Sequence, residues 1–337
     1  MSEHRHRADA RRAKSYRGVG GLDGSRPRVK VLVTGGTGFL GRHLVPYLQA
    51  GGIEVTALNS RNCDLTDRAN LQRLATGPFD RIYHLAAWTK AGDFCLHHKG
   101  EQWLVNQLIN SNTLWYWREL QPQATFITMG TSCAYPPELE MREENYMTGE
   151  PDPDLYTYAM TKRMLYQGLR ALHDQFGMSY RYLIPSTLYG PAFDGDDSHF
   201  IFDLVRKIVD GKFRGEPVVL WGDGSQVREL IHVRDAVRLI DLATAACADD
   251  LLNLGSGVGL TIREYAETIC AIVGFGPAAI QYDTDRYVGV RRKVFNADKI
   301  RRLFDFRFTD IRSGIVEVVE DYLDRFVRSQ EPGLSRA

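Results

Sequence analysis

Tyr158 and Lys162 lie four residues apart in the segment Tyr158-Ala159-Met160-Thr161-Lys162. On a helix that spacing puts both side chains on one face. A lysine ammonium beside a phenol lowers the phenol's pKa from its ordinary value of about 10, which helps it exchange a proton with a substrate oxygen. Tyr156 is a nearby rival, but Met160 rather than a lysine stands four residues beyond it.

The second chemical feature is Thr34-Gly35-Gly36-Thr37-Gly38-Phe39-Leu40-Gly41. It follows a β-branched run, Val29-Lys30-Val31-Leu32-Val33, and opens an apolar helical pattern through Leu44, Leu48 and Ala50. A strand, a glycine turn and a helix start therefore follow one another directly. Glycines at 35, 38 and 41 permit a tight turn, close approach to a pyrophosphate, and packing of the helix on the sheet. The helix start offers free N–H groups and a positive dipole to phosphates. Gly35, Thr37, Gly38, Phe39, Leu40 and Gly41 are thus candidate dinucleotide-binding residues.

An acid at the end of the second strand would bind a ribose 2′-hydroxyl and favour NAD. That strand ends in Ala57-Leu58-Asn59-Ser60-Arg61, without an acid. Asn59, Ser60 and Arg61 suit a 2′-phosphate instead, with the arginine in charge-assisted bonds. The expected cofactor is NADP(H).

These residues need a scaffold, and the chain reads as one. Strand-like runs at 53–58, 81–85, 125–129 and 180–184 alternate with helical patterns near 67–75, 100–120 and 155–176. Such alternation indicates a parallel sheet with helices on both faces. Beyond about residue 187 the pattern is less regular, with helices expected near 199–211, 233–247, 261–273 and 311–327. Thr261-Ile262-Arg263-Glu264 is a capping box that marks one helix start. The helices near 100–120 and 155–176 are unusually apolar. Trp103, Leu104, Leu108, Leu114, Trp115 and Trp117 lie on the first, and Met160, Met164, Leu165, Leu169 and Leu172 on the second. That is more apolar surface than one sheet covers, which points to a partner surface.

Composition narrows the class. The chain has 337 residues, 44% of them hydrophobic, enough for a sizeable core. The formal net charge is +0, which implies no general affinity for nucleic acid or an anionic membrane. No apolar stretch approaches the roughly 20 residues of a membrane span. The five cysteines are odd in number and scattered, which suits free thiols in a reducing cytoplasm. No Cys/His cluster has zinc spacing, so no metal is expected. Residues 1–28 carry eight Lys/Arg against three Asp/Glu and few apolar residues, and read as a disordered basic leader without a secretory signal.

The glycine spacing, G-x-x-G-x-x-G, together with the downstream Tyr/Lys pair, resembles the extended short-chain dehydrogenase/reductase superfamily. Further motifs sharpen the likeness. They are Gly130-Thr131-Ser132-Cys133-Ala134-Tyr135-Pro136, Leu188-Tyr189-Gly190-Pro191, Asp197-Ser198-His199-Phe200, Trp221-Gly222-Asp223-Gly224, Val227-Arg228-Glu229-Leu230 and Arg292-Lys293. In this order they resemble the GDP-L-fucose synthase family, from about Val29 to the C-terminal helix.

The resemblance implies an NADPH-dependent 3,5-epimerase and 4-reductase of a GDP-4-keto-6-deoxy sugar. It implies that Thr131 is the catalytic hydroxyl, that Tyr158 and Lys162 serve hydride transfer, and that Cys133 and His199 form the acid/base pair at C3 and C5. Asp64 and Leu65 match the adenine-contacting pair; Ala86, Ala87, Pro185, Leu188 and His199 fall at cofactor positions. Ser132, Thr187, Trp221, Arg228, Arg292 and Lys293 fall near the nucleotide-sugar, with Arg228 and Lys293 at its diphosphate. The two apolar helices would form a homodimer bundle.

The implied fold is α/β: a Rossmann-type doubly wound parallel sheet with a smaller C-terminal substrate lobe. Residues 29–186 would bind the dinucleotide, and 187–330 mainly the substrate, with segments near 230–255 returning to the sheet and 331–337 a tail. The chain departs from the family at Thr187, at Asn296 and in the loop Ala86-Ala87-Trp88-Thr89-Lys90-Ala91-Gly92. These departures leave the sugar and nucleotide open, a heptose included. They also leave open an epimerase or a reductase with half the chemistry. An isomerase that returns its hydride, and a sensor without catalysis, are weaker readings.

Overall fold

The computed structural model describes residues 28–327, except 75–76, 91–93, 195–198, 247–249 and 287. The leader up to residue 27, the tail, Ala91-Gly92, Asp197-Ser198 and Cys247 fall outside the described residues. In chain order the elements begin β1 (Lys30–Thr34), α1 (Phe39–Ala50), β2 (Glu54–Leu58), α2 (Arg68–Gln72), β3 (Arg81–His84), α3 (Phe94–His97), α4 (Lys99–Leu120), β4 (Thr125–Met129), α5 (Tyr156–Phe176) and β5 (Tyr180–Pro185). They continue with β6 (Thr187–Tyr189), α6 (Phe200–Arg214), β7 (Val219–Trp221), β8 (Val227–Arg228), β9 (Leu230–His232), α7 (Val233–Ala246) and β10 (Asp250–Leu254). Last come β11 (Leu260–Thr261), α8 (Ile262–Val273), β12 (Gln281–Asp283), β13 (Arg292–Lys293), α9 (Asp298–Leu303) and α10 (Ile311–Tyr322).

The main sheet has six strands in the order β10-β5-β4-β3-β1-β2, and every neighbouring pair is parallel. Its inner strands are apolar on both sides, because helices cover both faces. Along β1, Val31 and Val33 face α1 and α7, where Leu44, Leu48, Val237 and Ile240 meet them. Leu32 faces the other way, into the core with Tyr116, Trp117, Leu165 and Leu169 from α4 and α5. The strand order reverses between β1 and β3, and ligands of such sheets bind at the carboxyl ends beside that point.

Short strand pairs extend the fold beyond the sheet: β6 with β9, β7 with β12, and β8 with β11 and β13. Their apolar core comes from α6, α8 and α10, through Phe202, Val205, Ile208, Tyr265, Ile269, Ile315 and Val318. The capping box opens α8: Thr261 Oγ1 accepts the Glu264 N–H at 3.1 Å, and Glu264 accepts the Thr261 N–H at 2.7 Å.

The apolar residues of α4 and α5 divide in two. Trp117, Leu165 and Leu169 are core, with Trp117 wholly buried and its indole N–H donating to the Ala124 carbonyl at 2.8 Å. Leu104, Leu108 and Met164 remain 65%, 49% and 45% exposed, and Trp103 is also exposed. Among the described residues no helix is long and apolar enough to cross a membrane.

Candidate active site

Gly35 adopts a left-handed conformation, with φ of +69°. A methyl group there would lie 2.8 Å from the Ala86 backbone nitrogen, so only glycine lets β1 and β3 converge at the switch point. Gly41, one turn into α1, faces the turn itself: a Cβ would stand 2.4 Å from the Gly35 carbonyl oxygen. Gly38 caps α1 without any side-chain bond, and the first turn of α1 carries no acidic residue. Free N–H groups and the helix dipole therefore meet whatever sits over exposed Thr37 and Gly38. Phe39 is half-buried and packs edge-on against Phe202 of α6 and His43, while Leu40 is core.

At the end of β2, Asn59 and Asn62 lock a turn. Asn59 Oδ1 accepts the Arg61 N–H at 2.9 Å, and Asn62 Oδ1 accepts the Asn59 N–H at 2.8 Å. Ser60 and Arg61 are held outward, exposed. Asp64 is exposed and accepts the N–H and hydroxyl of Thr66, whereas the Leu65 side chain is buried in the core. Ala86 and Ala87 follow β3 beside Gly35, and both are half-buried. Pro185 ends β5, and half-buried Leu188 lies on β6.

The chemistry-bearing side chains gather at the carboxyl end of β4. Thr131 is buried and starts a short 3-10 turn, Ser132–Ala134; its hydroxyl oxygen accepts the Cys133 N–H at 3.3 Å. Tyr158 comes from the first turn of α5, and its phenol bonds to the Thr131 side chain. Tyr156, two residues earlier, is exposed and bonds to Glu150, so the two tyrosines have unrelated surroundings.

One expectation is corrected here. Lys162 shares the face of Tyr158, but its ammonium points elsewhere, donating to the Met129 carbonyl at 3.0 Å. A buried ammonium needs an acceptor, and the open carbonyl at the strand end supplies one. Burial lowers the Lys162 pKa to about 8. The Tyr158 phenol is consequently not acidified. Burial first, and then the neighbouring Cys133 and Cys95, raise its pKa, against a smaller opposing effect of Thr131. Tyr158 stays protonated at neutral pH, which suits a proton donor.

Cys133 is half-buried, and Lys293 from β13 brings its ammonium to 3.5 Å from the sulfur. A small pocket opens beside this pair, lined by Ser132, Ser186, Thr187, Glu229, Lys293 and Phe295. Arg228 lies on β8, its guanidinium donating to the Val227 and Val288 carbonyls at 2.9 Å each. Arg292 and Trp221 are exposed, and the cations of Lys207 and Arg286 lie 5.9 Å and 5.6 Å from the centroid of the Trp221 ring. His199 is the exposed N-cap residue of α6, its ring edge-on to Phe202. Asn296 donates to Glu140 at 2.8 Å.

Several positioning residues were not legible beforehand. Arg163 is buried and donates to the Ala134, Thr148 and Gly149 carbonyls, which fastens the turn that carries Cys133 to α5. Tyr146 and Tyr182 bond to each other at 2.8 Å, and Tyr182 donates to the Lys162 carbonyl. Tyr146 also bonds to the Thr131 backbone, so a chain of buried phenols spans the site from beneath. Glu229 is buried and accepts the N–H groups of Phe295 at 2.8 Å and Gly257 at 2.9 Å. No local periodicity marks these residues, because their partners are distant in the chain.

His84 sits under the switch point, 2% exposed, between the Thr34 hydroxyl at 2.9 Å and Asn110 Oδ1 at 3.2 Å. Burial lowers its pKa from 6.5 to about 4, against the opposing Asn110 bond and with help from the Lys162 charge. The unfolded chain takes up this proton near pH 6.5, and the folded chain only near pH 4. The His84 contribution to stability is therefore full above pH 6.5 and falls by about 3 kcal/mol as the pH drops to about 4. Urea unfolding at stepped pH should show that slope, and His84→Gln should flatten it. Identical slopes in the two proteins would exclude His84 as the source.

Among the described residues no group of three or more His, Cys, Asp or Glu is placed to hold a metal ion. The chain is 27% identical over 319 residues to the GDP-L-fucose synthase of Escherichia coli K12, covering 88% of this chain and 98% of that protein. It is 29% identical over 304 residues to GDP-L-fucose synthase 1 of Arabidopsis thaliana, covering 87% and 93%. The crystal structure of a GDP-L-fucose synthetase from Naegleria fowleri bound to NADP superposes with a TM-score of 0.78 at 24% identity, over 90% of this chain and 94% of that one. Residues 31–255, more than half of the chain, match the family described as NAD dependent epimerase/dehydratase, and this chain belongs to that family.

Proposed function

We propose that this chain is an NADPH-dependent nucleotide-sugar 3,5-epimerase and 4-ketoreductase that acts on a GDP-4-keto-6-deoxy sugar. The observation that carries the reading is the cluster at the end of β4. There a Thr131–Tyr158 hydroxyl pair adjoins the Cys133 thiol, at the same edge of the sheet as the glycine turn after β1, which is shaped for a dinucleotide. The names of the E. coli and Arabidopsis relatives support it.

The residues fit an NADP(H) molecule: the turn has no room for a Cβ at Gly35, Gly36 or Gly41, and the locked Asn59–Asn62 turn presents Ser60 and Arg61 to a 2′-phosphate. When bound, NADPH supplies the hydride that C4 receives. The rest falls to the protein. A 4-keto group acidifies the protons on both flanking carbons. The Cys133 thiolate takes one such proton; the C–H pair becomes the enolate double bond, and the carbonyl pair moves to oxygen, held by Thr131 and Tyr158. His199 returns a proton on the opposite face, with inversion. Tyr158 then protonates the C4 oxygen as the ketone is reduced. Arg228, Arg292 and Trp221 bind the nucleotide part, and Ser132 and Thr187 the sugar.

The test is GDP-4-keto-6-deoxymannose with NADPH in heavy water. Deuterium at C3 and C5 with stoichiometric NADPH loss is the expected result. Deuterium without NADPH loss would leave an epimerase, and NADPH loss without deuterium a reductase. Neither signal, with this or a heptose substrate, would sink the reading.

The exposed Trp103, Leu104, Leu108 and Met164 on α4 and α5 are the proposed homodimer face. Replacing Leu104 and Leu108 together by glutamate should convert the dimer to monomer in sedimentation, since each buried charge lacks a partner. A parent chain that already sediments as a monomer would rule the face out. The four described cysteines are free thiols, which fits the proposed cytoplasmic location.

A further inference from the structure

We infer that Lys293 is a positioning residue for proton transfer: its ammonium holds Cys133 in the thiolate form that the proposed epimerisation requires. The inference rests on the reading of Cys133 as the base. Lys293 Nζ stands 3.5 Å from Cys133 Sγ, across 160 residues of chain. The contact is built. Lys293 lies on β13, in register with Arg228 of β8. The Val227 N–H donates to the Arg291 carbonyl at 2.9 Å, and the Glu229 N–H to the Lys293 carbonyl at 3.0 Å. Two residues on, the Phe295 N–H donates to the Glu229 carboxylate at 2.8 Å. The backbone is thus fastened before, at and after the lysine. The thiol is fixed as well, since its turn is tied to α5 by Arg163.

The charges favour the same pairing. Among the described residues Lys293 makes no ion pair with a carboxylate. Glu229 lines the same pocket but spends its oxygens on the Phe295 and Gly257 N–H groups. Among the described residues, the phenols of Tyr158, on α5, and Tyr146, in the loop before it, face the sulfur from other elements. Burial raises both, so both are neutral at neutral pH. Lys293 brings a cation to 3.5 Å from the sulfur, and a neighbouring cation favours a thiolate over a thiol. Lys293, expected at the diphosphate, has its ammonium at the Cys133 sulfur in this structure.

The test reads the thiol directly and needs no sugar. Alkylation of Cys133 by iodoacetamide is followed against pH in the full-length protein, with the Cys133 peptide quantified by mass spectrometry. Lys293→Met should raise the midpoint by about one to two pH units, or ten- to a hundredfold less thiolate at neutral pH, and Lys293→Arg should restore it. An unchanged midpoint in Lys293→Met would overturn the pairing. Should that variant fail to fold, the thiolate absorbance difference between the parent and Cys133→Ser decides: a midpoint below the ordinary thiol value supports the pairing, and one at or above it refutes it. A shifted midpoint without solvent exchange into any keto-sugar would retain the pairing and discard the epimerase reading; exchange with an unshifted midpoint would do the reverse.

Discussion

Replacing Tyr158 with phenylalanine should lower ketone reduction by about two to four orders of magnitude, the usual worth of a positioned proton donor. The ring stays, so the packing against Thr131 and the turn of Cys133 is kept, and affinity for the dinucleotide should change little. No neighbour substitutes for the lost hydroxyl. Tyr156 faces solvent and bonds to Glu150, and Tyr146 and Tyr182 are committed to each other and to backbone groups. The rise of the Tyr158 pKa on burial strengthens the expectation, because a phenol that keeps its proton at neutral pH is a donor and not a spectator. The measurement is the fall in NADPH absorbance with a keto-sugar substrate, beside dinucleotide affinity by fluorescence. Unaltered turnover would remove Tyr158 from the mechanism.

Cys133→Ser should slow deuterium uptake at the carbons flanking the ketone by about a hundred- to ten-thousandfold. A serine hydroxyl is nearly isosteric but far less acidic, so it does not supply a base near neutral pH even with Lys293 beside it. The Thr131 bond to the backbone N–H of residue 133 survives the change, so the turn and the Thr131–Tyr158 pair stay in place. Dinucleotide affinity should be unaffected, since the glycine turn lies at the end of a different strand. The variant separates the two halves of the chemistry: reduction of a substrate already in the right configuration should persist. Equal exchange in variant and parent would eliminate Cys133 as the base.

Much of this arrangement was legible in the chain. The alternation of apolar runs set out β1 to β5 and the helices α1, α2, α4 and α5 to within a few residues, because the inner strands are apolar on both faces. The glycine turn was readable for a local reason: Gly35 and Gly41 answer to backbone atoms of their own turn or of the adjoining strand end. The capping box of α8 involves residues three apart and is as local. The division of α4 and α5 was not readable. Trp117 and Leu104 are both large and apolar, and only the position of the sheet decides that one is buried and the other exposed.

Local signals, then, determined the fold class, the dinucleotide turn, the common face of Tyr158 and Lys162, and the absence of an acid at the end of β2. Each rests on backbone geometry or on residues within a turn or two of one another. Tertiary structure alone decided where charges point. Lys162 turns to the Met129 carbonyl and leaves Tyr158 protonated; Arg163 ties down the turn of Cys133; Lys293 reaches the Cys133 sulfur across 160 residues. Burial and Coulomb interaction act through space, and a linear order of residues records neither the distance between two charges nor the solvent removed from around them.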